Sequence, residues 1–201
     1  MTTALAWQAA LLSIVGGYLL GSIPFGYLLS RAAGLGDIRA IGSGNIGATN
    51  VLRTGRKDVA AATLLLDGGK GALAVLAGTY FAGPLAGLVA GVASVAGHCT
   101  SVWMRGNGGK GVATGLGMIL GTAWPVGLGA CAIWLAAARL SRRSSAGSLT
   151  AFAAAPVLML LWAGGNPALA VGIVSLIIYV RHEGNIRRLL AGTEPRIGQG
   201  K

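Results

Sequence analysis

Charged residues are scarce in this 201-residue chain, where they make up 10% of the sequence; soluble domains carry about 25%. Hydrophobic residues account for 54%, and the mean hydropathy is +0.69. A helix needs roughly 17–25 apolar residues to cross a bilayer, and several such stretches are present. The scarcity of charge therefore excludes a soluble fold and predicts one domain, residues 1–201, built as a bundle of helices in lipid.

Cysteine and clustered metal ligands are also lacking. Cys99 and Cys131 have no spacing that suggests a disulfide framework, and no pattern typical of a metal site occurs. The N-terminus has no Lys or Arg before its apolar run, so it lacks the basic start of a cleaved signal peptide. We therefore expect no metal and predict that the first apolar stretch is a retained span.

Seven apolar segments predict an all-α integral membrane protein, built as a seven-helix transmembrane bundle. They cover residues 4–30, 59–80, 85–104, 111–121, 126–138, 148–163 and 168–180. The fourth is short enough to be a half-length or tilted helix. The charges support the count of seven, because seven spans place all of the charged connections on one side of the membrane.

Basic residues dominate the charge balance, with 16 Lys+Arg against 5 Asp+Glu and a net charge of +11. Nucleic-acid binding is one explanation, but Lys and Arg also accumulate in the cytoplasmic loops of membrane proteins. The charged connections are residues 31–58, 105–110, 139–147 and 181–201. The uncharged turns are 81–84, 122–125 and 164–167. This pattern predicts an N-terminus outside and a C-terminus in the cytoplasm, with Arg142, Arg143 and Lys201 as orientation signals.

Residues 42–50, GSGNIGATN, form the first of three glycine-rich basic segments. Three glycines within six residues let successive backbone N–H groups turn toward one anion. Ser43, Asn45, Thr49 and Asn50 add neutral side chains able to donate hydrogen bonds, and Arg53 offers a planar fork suited to phosphate. The segment lacks the Gly-Lys-Ser/Thr ending of a nucleotide-binding P-loop. An ordinary flexible loop is the alternative.

The second and third segments are residues 106–114, GNGGKGVAT, and residues 181–194, RHEGNIRRLLAGTE. Lys110 lies between the pair Gly108-Gly109 and Gly111 at the start of a predicted helix, an arrangement that binds phosphate; a plain interfacial loop is the alternative. His182, Asn185 and Arg188 share roughly one helical face. A basic amphipathic tail on anionic lipid explains them equally well.

Ionisable residues at membrane depth usually face the bundle interior. Asp67 and Lys70 lie within the second apolar segment, so they either pair with each other or line the floor of the site. His98 and His182 have an ordinary pKa suited to proton transfer near neutral pH, and Asp67 is a third candidate for that role. No catalytic triad is visible. The residues predict a pocket that holds two phosphates without an obvious nucleophile.

Together these segments resemble the bacterial acyl-phosphate:glycerol-3-phosphate acyltransferase family, known as PlsY. The motifs that carry the resemblance are GSIPFG at 21–26, GSGNIGATN at 42–50, LDGGKG at 66–71, GHC at 97–99, GGKGVAT at 108–114, and RH–xx–NI–x–RLL–x–GTE at 181–194. Ser101 stands where the family usually has Pro. Gly106-Asn107 replaces an aromatic-Lys pair, and Glu183-Gly184 replaces the usual Arg-Glu after the tail histidine.

The resemblance implies an enzyme of the bacterial inner membrane with its active site on the cytoplasmic side. It would transfer a fatty acyl group from acyl phosphate to the sn-1 hydroxyl of glycerol 3-phosphate, giving lysophosphatidic acid and phosphate in the first step of phospholipid synthesis. Acyl-CoA and acyl carrier protein would not be donors. Neither a cofactor nor a conventional base or nucleophile is implied. Partners would be the two substrates, membrane lipid and other enzymes of phospholipid synthesis, but not nucleic acid.

Site roles follow from this resemblance and from the chemistry of phosphate binding. The residues expected to bind acyl phosphate are Gly42, Ser43, Gly44, Asn45, Arg53 and Lys110. The residues expected to bind glycerol 3-phosphate are Asn50, Lys70, Gly108, Gly109, His182, Asn185 and Arg188. The attacking hydroxyl would pass its proton to a substrate phosphate, unless His182, His98 or Asp67 accepts it.

Two other function classes fit the composition less well. An anion transporter or channel often has inverted repeats and a site near the midplane, but the sequence has no internal repeat and its charges lie on one side. A lipid-anchored scaffold would need only basic charge to bind anionic membranes. The neutral hydrogen-bond donors of residues 42–50 therefore favour an enzyme.

Overall fold

Ten α-helices form the computed structural model, which describes residues 3–197 and side chains from residue 7. They are α1 Thr3–Ser22, α2 Phe25–Ala32, α3 Ala48–Val51, α4 Lys57–Ala82, α5 Pro84–Cys99, α6 Val112–Thr122, α7 Trp124–Ser141, α8 Ser144–Ala163, α9 Gly165–Arg181 and α10 Glu183–Leu190. Short 3-10 turns lie at Ile38–Ala40, Leu52–Thr54 and Val102–Met104. The all-α prediction is confirmed for the described part of the chain, which does not include Lys201.

Five helical segments are long and apolar enough to cross a membrane. They are Trp7–Ala32, Lys57–Ala82, Pro84–Met104, Trp124–Ser141 and Ser144–Ala163. The bent pair α9 and α10, with 64° between its two helices, makes a sixth. The remaining apolar helix, α6, has 11 residues and so is about 16 Å long, roughly half of the hydrocarbon core. Seven full spans therefore stay a prediction.

Aromatic side chains mark the end of the bundle that carries the uncharged turns. Each of them is at least 65% exposed: Trp7, Tyr80, Phe81, Trp124 and Trp162. Tryptophan and tyrosine are enriched where a membrane meets water, because their rings are apolar and their polar atoms remain hydrated. Large leucines such as Leu65 and Leu161 are also exposed between the ends, at 73% and 80%. This outer surface suits contact with lipid.

The first predicted span, residues 4–30, is not continuous. It breaks between α1, which ends at Ser22, and α2, which begins at Phe25. Pro24 lacks a backbone N–H and its ring clashes with the preceding turn, so it interrupts the helix. Lys70 Nζ donates a 2.8 Å hydrogen bond to the Ile23 carbonyl oxygen at the break. A backbone group exposed by the break thus finds a partner on α4, as it must inside a membrane.

Glycines bring α4 and α6 into close contact. A Cβ atom at Gly71 would overlap the Thr114 carbonyl oxygen, and one at Gly117 would overlap the Gly68 carbonyl oxygen. Small residues of this kind allow helix backbones to approach in membranes. The start of α6 therefore lies beside Gly68, roughly 16 Å along α4 from its first residue. The loop that precedes α6 thus meets α4 well past the first turns of that helix.

Candidate active site

The four charged connections meet at one end of the bundle. Hydrogen bonds join them in three pairs: Thr49 Oγ1 with Ser144 Oγ at 3.2 Å, Arg181 Nη2 with the Gly108 carbonyl at 3.1 Å, and Arg143 Nε with the Glu194 carbonyl at 3.3 Å. Each pair links segments that are distant in sequence. The three glycine-rich segments singled out from the sequence are thus part of one connected structure.

Asn50 shapes the first segment from within. Its side-chain Nδ2 donates to the carbonyl oxygens of Ile38 at 2.9 Å and Ile41 at 3.0 Å, while its Oδ1 accepts from the Ser43 amide at 3.1 Å. The side chain is 2% exposed. Asn50 was expected to bind glycerol 3-phosphate, but these bonds direct its amide into the loop.

The turn at Gly42 and Gly44 is left-handed, with φ values of +57° and +68°. A Cβ at Gly42 would come within 2.7 Å of Arg53 Nη1, so glycine is required both for the backbone angle and for space. Arg53 therefore lies against the loop. The Ser43 amide bonds to Asn50, and the Gly44 amide donates to the Ile41 carbonyl. Two of the four amides expected to face acyl phosphate are therefore engaged inside the loop.

A small apolar cluster fixes this segment to the bundle. Its buried members are Ile38, Ile46, Val51, Val59, Ala60 and Met104. Ile38 and Val51 have no exposed surface. The sequence analysis did not single out these residues, although isolated isoleucine and valine within a polar segment are a usable signal. Their burial anchors the segment to the bundle, so the segment forms one side of the candidate site.

The second segment is held by bonds at two of its glycines, Gly108 and Gly109. The amides of Gly108 and Gly109 donate to the carbonyls of Cys99 and His98 at 3.2 and 2.9 Å. Arg181 donates in turn to the carbonyl of each glycine. A Cβ at Gly109 would overlap His98 Nε2. These glycines, expected to bind glycerol 3-phosphate, position Lys110 through their own hydrogen bonds, and Arg181 is a site residue that the sequence analysis missed.

Lys110 is the first member of a chain of polar contacts. Its Nζ donates to Asn185 Oδ1 at 2.5 Å, and Asn185 Nδ2 donates to Glu194 Oε1 at 2.6 Å. Arg188 Nε donates to Glu194 Oε2 at 2.7 Å. The structure thus brings together three predicted ligands, Lys110, Asn185 and Arg188. It adds Glu194, which the sequence analysis had noted only as part of a motif.

The charges around Lys110 favour an anion. The pKa of Lys110 is lowered to about 8: burial is the main cause, Glu194 opposes it, and nearby Arg188, Arg181 and Arg53 add to the lowering. Glu194 stays ionised: burial raises its pKa, but hydrogen bonds from Ser145, Asn185 and Arg188 lower it by more. This part of the structure therefore holds four cationic side chains against one carboxylate. Such an excess suits a ligand with several negative charges.

His182 is oriented by the end of α9. Its Nδ1 lies 2.8 Å from the Ile178 carbonyl oxygen, and the ring is 2% exposed. A carbonyl can only accept, so Nδ1 carries the proton and Nε2 is left as an acceptor. His182 can thus take a hydrogen bond from a substrate hydroxyl.

His98, Asp67 and Lys70 form a separate buried cluster beneath the second segment. Lys70 Nζ lies 2.8 Å from Asp67 Oδ1, and His98 Nδ1 lies 3.6 Å from the same oxygen. All three are at most 4% exposed. Lys70, expected to bind glycerol 3-phosphate, donates here to Asp67 and to the Ile23 carbonyl. Within residues 3–197, no group of three or more His, Cys, Asp or Glu is placed to hold a metal.

Residues 11–192 match the family described as Glycerol-3-phosphate acyltransferase. The chain belongs to the glycerol-3-phosphate acyltransferase family. A family member from Maricaulis maris (strain MCS10) is 57% identical over 96% of this chain and 89% of its own length. One from Gluconobacter oxydans (strain 621H) is 58% identical over 94% of this chain and 93% of its own length. The resemblance inferred from the sequence motifs is confirmed.

Two crystal structures of PlsY (YgiH), an integral membrane glycerol 3-phosphate acyltransferase, share the fold. The glycerol 3-phosphate form is 36% identical, with a TM-score of 0.89 over 94% of this chain and 96% of the other. The lysophosphatidic acid form is 35% identical, with a TM-score of 0.87 over 94% and 95% of the two chains. This member of the acyltransferase family is therefore an integral membrane protein.

Proposed function

We propose that the protein transfers a fatty acyl group from acyl phosphate to the sn-1 hydroxyl of glycerol 3-phosphate. The acceptor follows from the family and from the glycerol 3-phosphate form of the solved relative. The observation that supports the whole proposal best is the placement of Lys110 among Arg53, Arg181 and Arg188. Two phosphorylated substrates bound side by side need this concentration of positive charge.

The donor side of the site is assigned to the first segment and Lys110. Arg53 and Lys110 neutralise the acyl phosphate, and the Ser43 hydroxyl and Asn45 side chain donate hydrogen bonds to it. Gly42 and Gly44 provide the turn that admits Arg53, and Asn50 holds that turn in place. The acyl chain, being apolar, extends between helices toward lipid.

The acceptor side is assigned to the tail. Asn185 and Arg188 bind glycerol 3-phosphate, and His182 Nε2 accepts a hydrogen bond from one of its hydroxyls. Gly108 and Gly109 form the floor of the site for this phosphate. The Lys110 ammonium, assigned to the donor, also contacts Asn185, which is assigned to the acceptor. Lys110 therefore lies between the two substrates.

Chemistry proceeds by direct attack without a covalent enzyme intermediate. The hydroxyl oxygen of glycerol 3-phosphate forms an ester bond to the acyl carbon, and the bond from that carbon to the phosphate oxygen breaks. The hydroxyl proton passes to a substrate phosphate oxygen, and inorganic phosphate leaves with the bonding electrons. Lys110 and Arg53 stabilise the negative charge that develops. Holding both substrates together supplies the proximity term.

The enzyme is proposed to lie in the bacterial inner membrane and to catalyse the first step of phospholipid synthesis. Its N-terminus is outside, its C-terminus and active site are cytoplasmic, and α6 serves as the seventh, shortened span. The concentration of Lys and Arg in four connections supports this orientation. Soluble glycerol 3-phosphate then arrives from the cytoplasm.

A donor comparison tests the proposal. Purified protein is mixed with labelled glycerol 3-phosphate and either palmitoyl phosphate or palmitoyl-CoA, and lysophosphatidic acid is measured. We expect product with palmitoyl phosphate alone, accompanied by an equal amount of inorganic phosphate. A preparation from cells lacking the gene controls for contaminating acyltransferases. Product from palmitoyl-CoA at a similar or higher rate would overturn the donor assignment.

A further inference from the structure

The first turn of α8 touches both halves of the proposed site. Ser144 Oγ lies 3.2 Å from Thr49 Oγ1, in the segment assigned to the donor. The next residue, Ser145, donates a 2.7 Å hydrogen bond to Glu194 Oε1, in the tail assigned to the acceptor. Neither serine belongs to the three glycine-rich segments. Two neighbouring hydroxyls therefore connect the donor segment to the tail.

Hydrogen bonds connect Ser145 to Lys110 through Glu194 and Asn185. Ser145 and Asn185 donate to the same carboxylate oxygen of Glu194. With its Nδ2 held there, the Asn185 amide presents Oδ1 to Lys110. Ser145 is 5% exposed, so water cannot readily replace its hydroxyl. Loss of that hydroxyl would leave the carboxylate held by Arg188 and Asn185 alone, and would loosen the Asn185 amide with it.

The tail is fastened to the same region by its backbone. Arg143 Nε donates to the Glu194 carbonyl at 3.3 Å, and the Ile197 amide donates to the Arg142 carbonyl at 2.7 Å. These bonds keep residues 194–197 beside the start of α8. The position of Glu194 is thus set by α8 as well as by α10.

The first turn of α8 is itself well supported. Ser148, one turn later, donates to the Ser144 carbonyl at 3.0 Å and accepts from Trp134 Nε1 of α7 at 3.1 Å. Ser148 is 2% exposed, and its bonds stay within α7 and α8. It is therefore a natural comparison for Ser145: a buried serine of the same helix without a link to the tail.

We propose that Ser144 and Ser145 are positioning residues that hold the donor segment and the Lys110–Asn185 pair in register with each other. The inference rests on the proposed function, because it assigns the two halves to two substrates. It predicts separable kinetic effects. Ser145 acts on the acceptor side and Ser144 on the donor side.

The test measures KM for each substrate and kcat in purified variants. Ser145→Ala is expected to raise the KM for glycerol 3-phosphate about tenfold, as befits a lost hydrogen bond to a charged group. The KM for palmitoyl phosphate should rise less, because only Lys110 among the donor ligands is linked to Ser145. Ser144→Ala is expected to raise the KM for palmitoyl phosphate by about threefold, as for an exposed neutral hydrogen bond. Ser148→Ala should leave both KM values at the wild-type level.

The outcomes separate the inference from the proposed function. A wild-type enzyme inactive with palmitoyl phosphate counts against the donor assignment. An active wild type with unchanged KM values in Ser144→Ala and Ser145→Ala overturns the positioning role alone. Equal kinetic losses in Ser145→Ala and Ser148→Ala would also overturn it, because they would indicate general destabilisation of α8. If Ser145→Ala does not fold, Ser144→Ala decides, since Ser144 is only partly buried.

Discussion

Lys110 and Asn185 lie 75 residues apart in the chain, yet the Lys110 ammonium donates directly to the Asn185 amide oxygen. An amide accepts this bond without cancelling the charge of the ammonium. The carboxylate of Glu194 is one step further away, behind the amide. Lys110 is thereby oriented by a neutral group, and its positive charge is not cancelled by a direct contact with Glu194.

Removal of the Lys110 ammonium should abolish acyl transfer. Lys110→Ala is expected to lower kcat/KM by about 10²–10³-fold, the range for loss of one group that stabilises transition-state charge. The amount of protein in the membrane should not change. Lys57→Ala removes an exposed cation at the start of α4 and serves as the control. Normal turnover by Lys110→Ala would exclude this residue from the site.

Activity should fall at alkaline pH as Lys110 loses its proton. Burial lowers its pKa to about 8, and only the protonated form attracts phosphate strongly. The profile of kcat/KM reports the free enzyme, so it should decline as pH rises through about 8. Lys110→Arg keeps its charge there, and the decline should disappear. An identical alkaline limb in this variant would assign the titration to another group.

Asn50 should act on the donor segment rather than on the acceptor. Asn50→Ala removes three hydrogen bonds that shape residues 38–43, and we expect the KM for palmitoyl phosphate to rise by at least about tenfold. Asn107→Ala changes an exposed asparagine of the second segment and should have no such effect. A selective increase in the KM for glycerol 3-phosphate would restore the role first expected for Asn50.

Proton transfer to a substrate phosphate predicts that neither histidine is indispensable. Loss of a general base costs about 10²–10⁴-fold. His182→Ala and His98→Ala should each lose less than about 10²-fold in kcat, since their roles are orientation and support. If the wild-type rate declines at acidic pH, as protonation of a substrate phosphate would cause, the same decline should persist in both histidine variants. Its disappearance in His182→Ala would show that this imidazole accepts the proton.

The buried pair of Asp67 and Lys70 is expected to stabilise the folded protein. Removing one partner of a buried ion pair costs about 3–5 kcal/mol, whereas replacing both with apolar residues is often tolerated. Asp67→Leu should therefore lower the melting temperature in detergent more than the double variant Asp67→Leu, Lys70→Met. A double variant that melts normally but has lost glycerol 3-phosphate binding would place Lys70 in the site.

Hydropathy located the helices well, because a lipid-facing helix must be apolar along its whole length. The bounds of α4, predicted as 59–80, are Lys57–Ala82 in the structure. Hydropathy did not reveal the break at Pro24, since Ile23 and Phe25 are as apolar as their neighbours. The break arises because Pro24 lacks a backbone N–H, a property that average hydropathy does not measure.

Residue types singled out the polar groups of the candidate site but not the direction of each one. Lys110, Asn185 and Arg53 were predicted as ligands because glycine and basic residues together favour phosphate, and the structure places Lys110 against Asn185. Asn50 carries the same signal, yet its amide bonds to the loop. Glu194 and Ser145 could not be linked from sequence, since their contact depends on how the tail folds back onto α8.

The shortness of α6 has a consequence for how the enzyme would meet its donor. Because α6 begins about 16 Å along α4, the Lys110 loop lies beside α4 near the depth of Gly68, level with the ends of α5 and α9, to which it is hydrogen-bonded. A phosphate attached to an acyl chain can reach that depth by lateral diffusion, without extraction into water. We therefore expect turnover to follow the mole fraction of donor in the bilayer and to fall on dilution with inert lipid at constant total concentration.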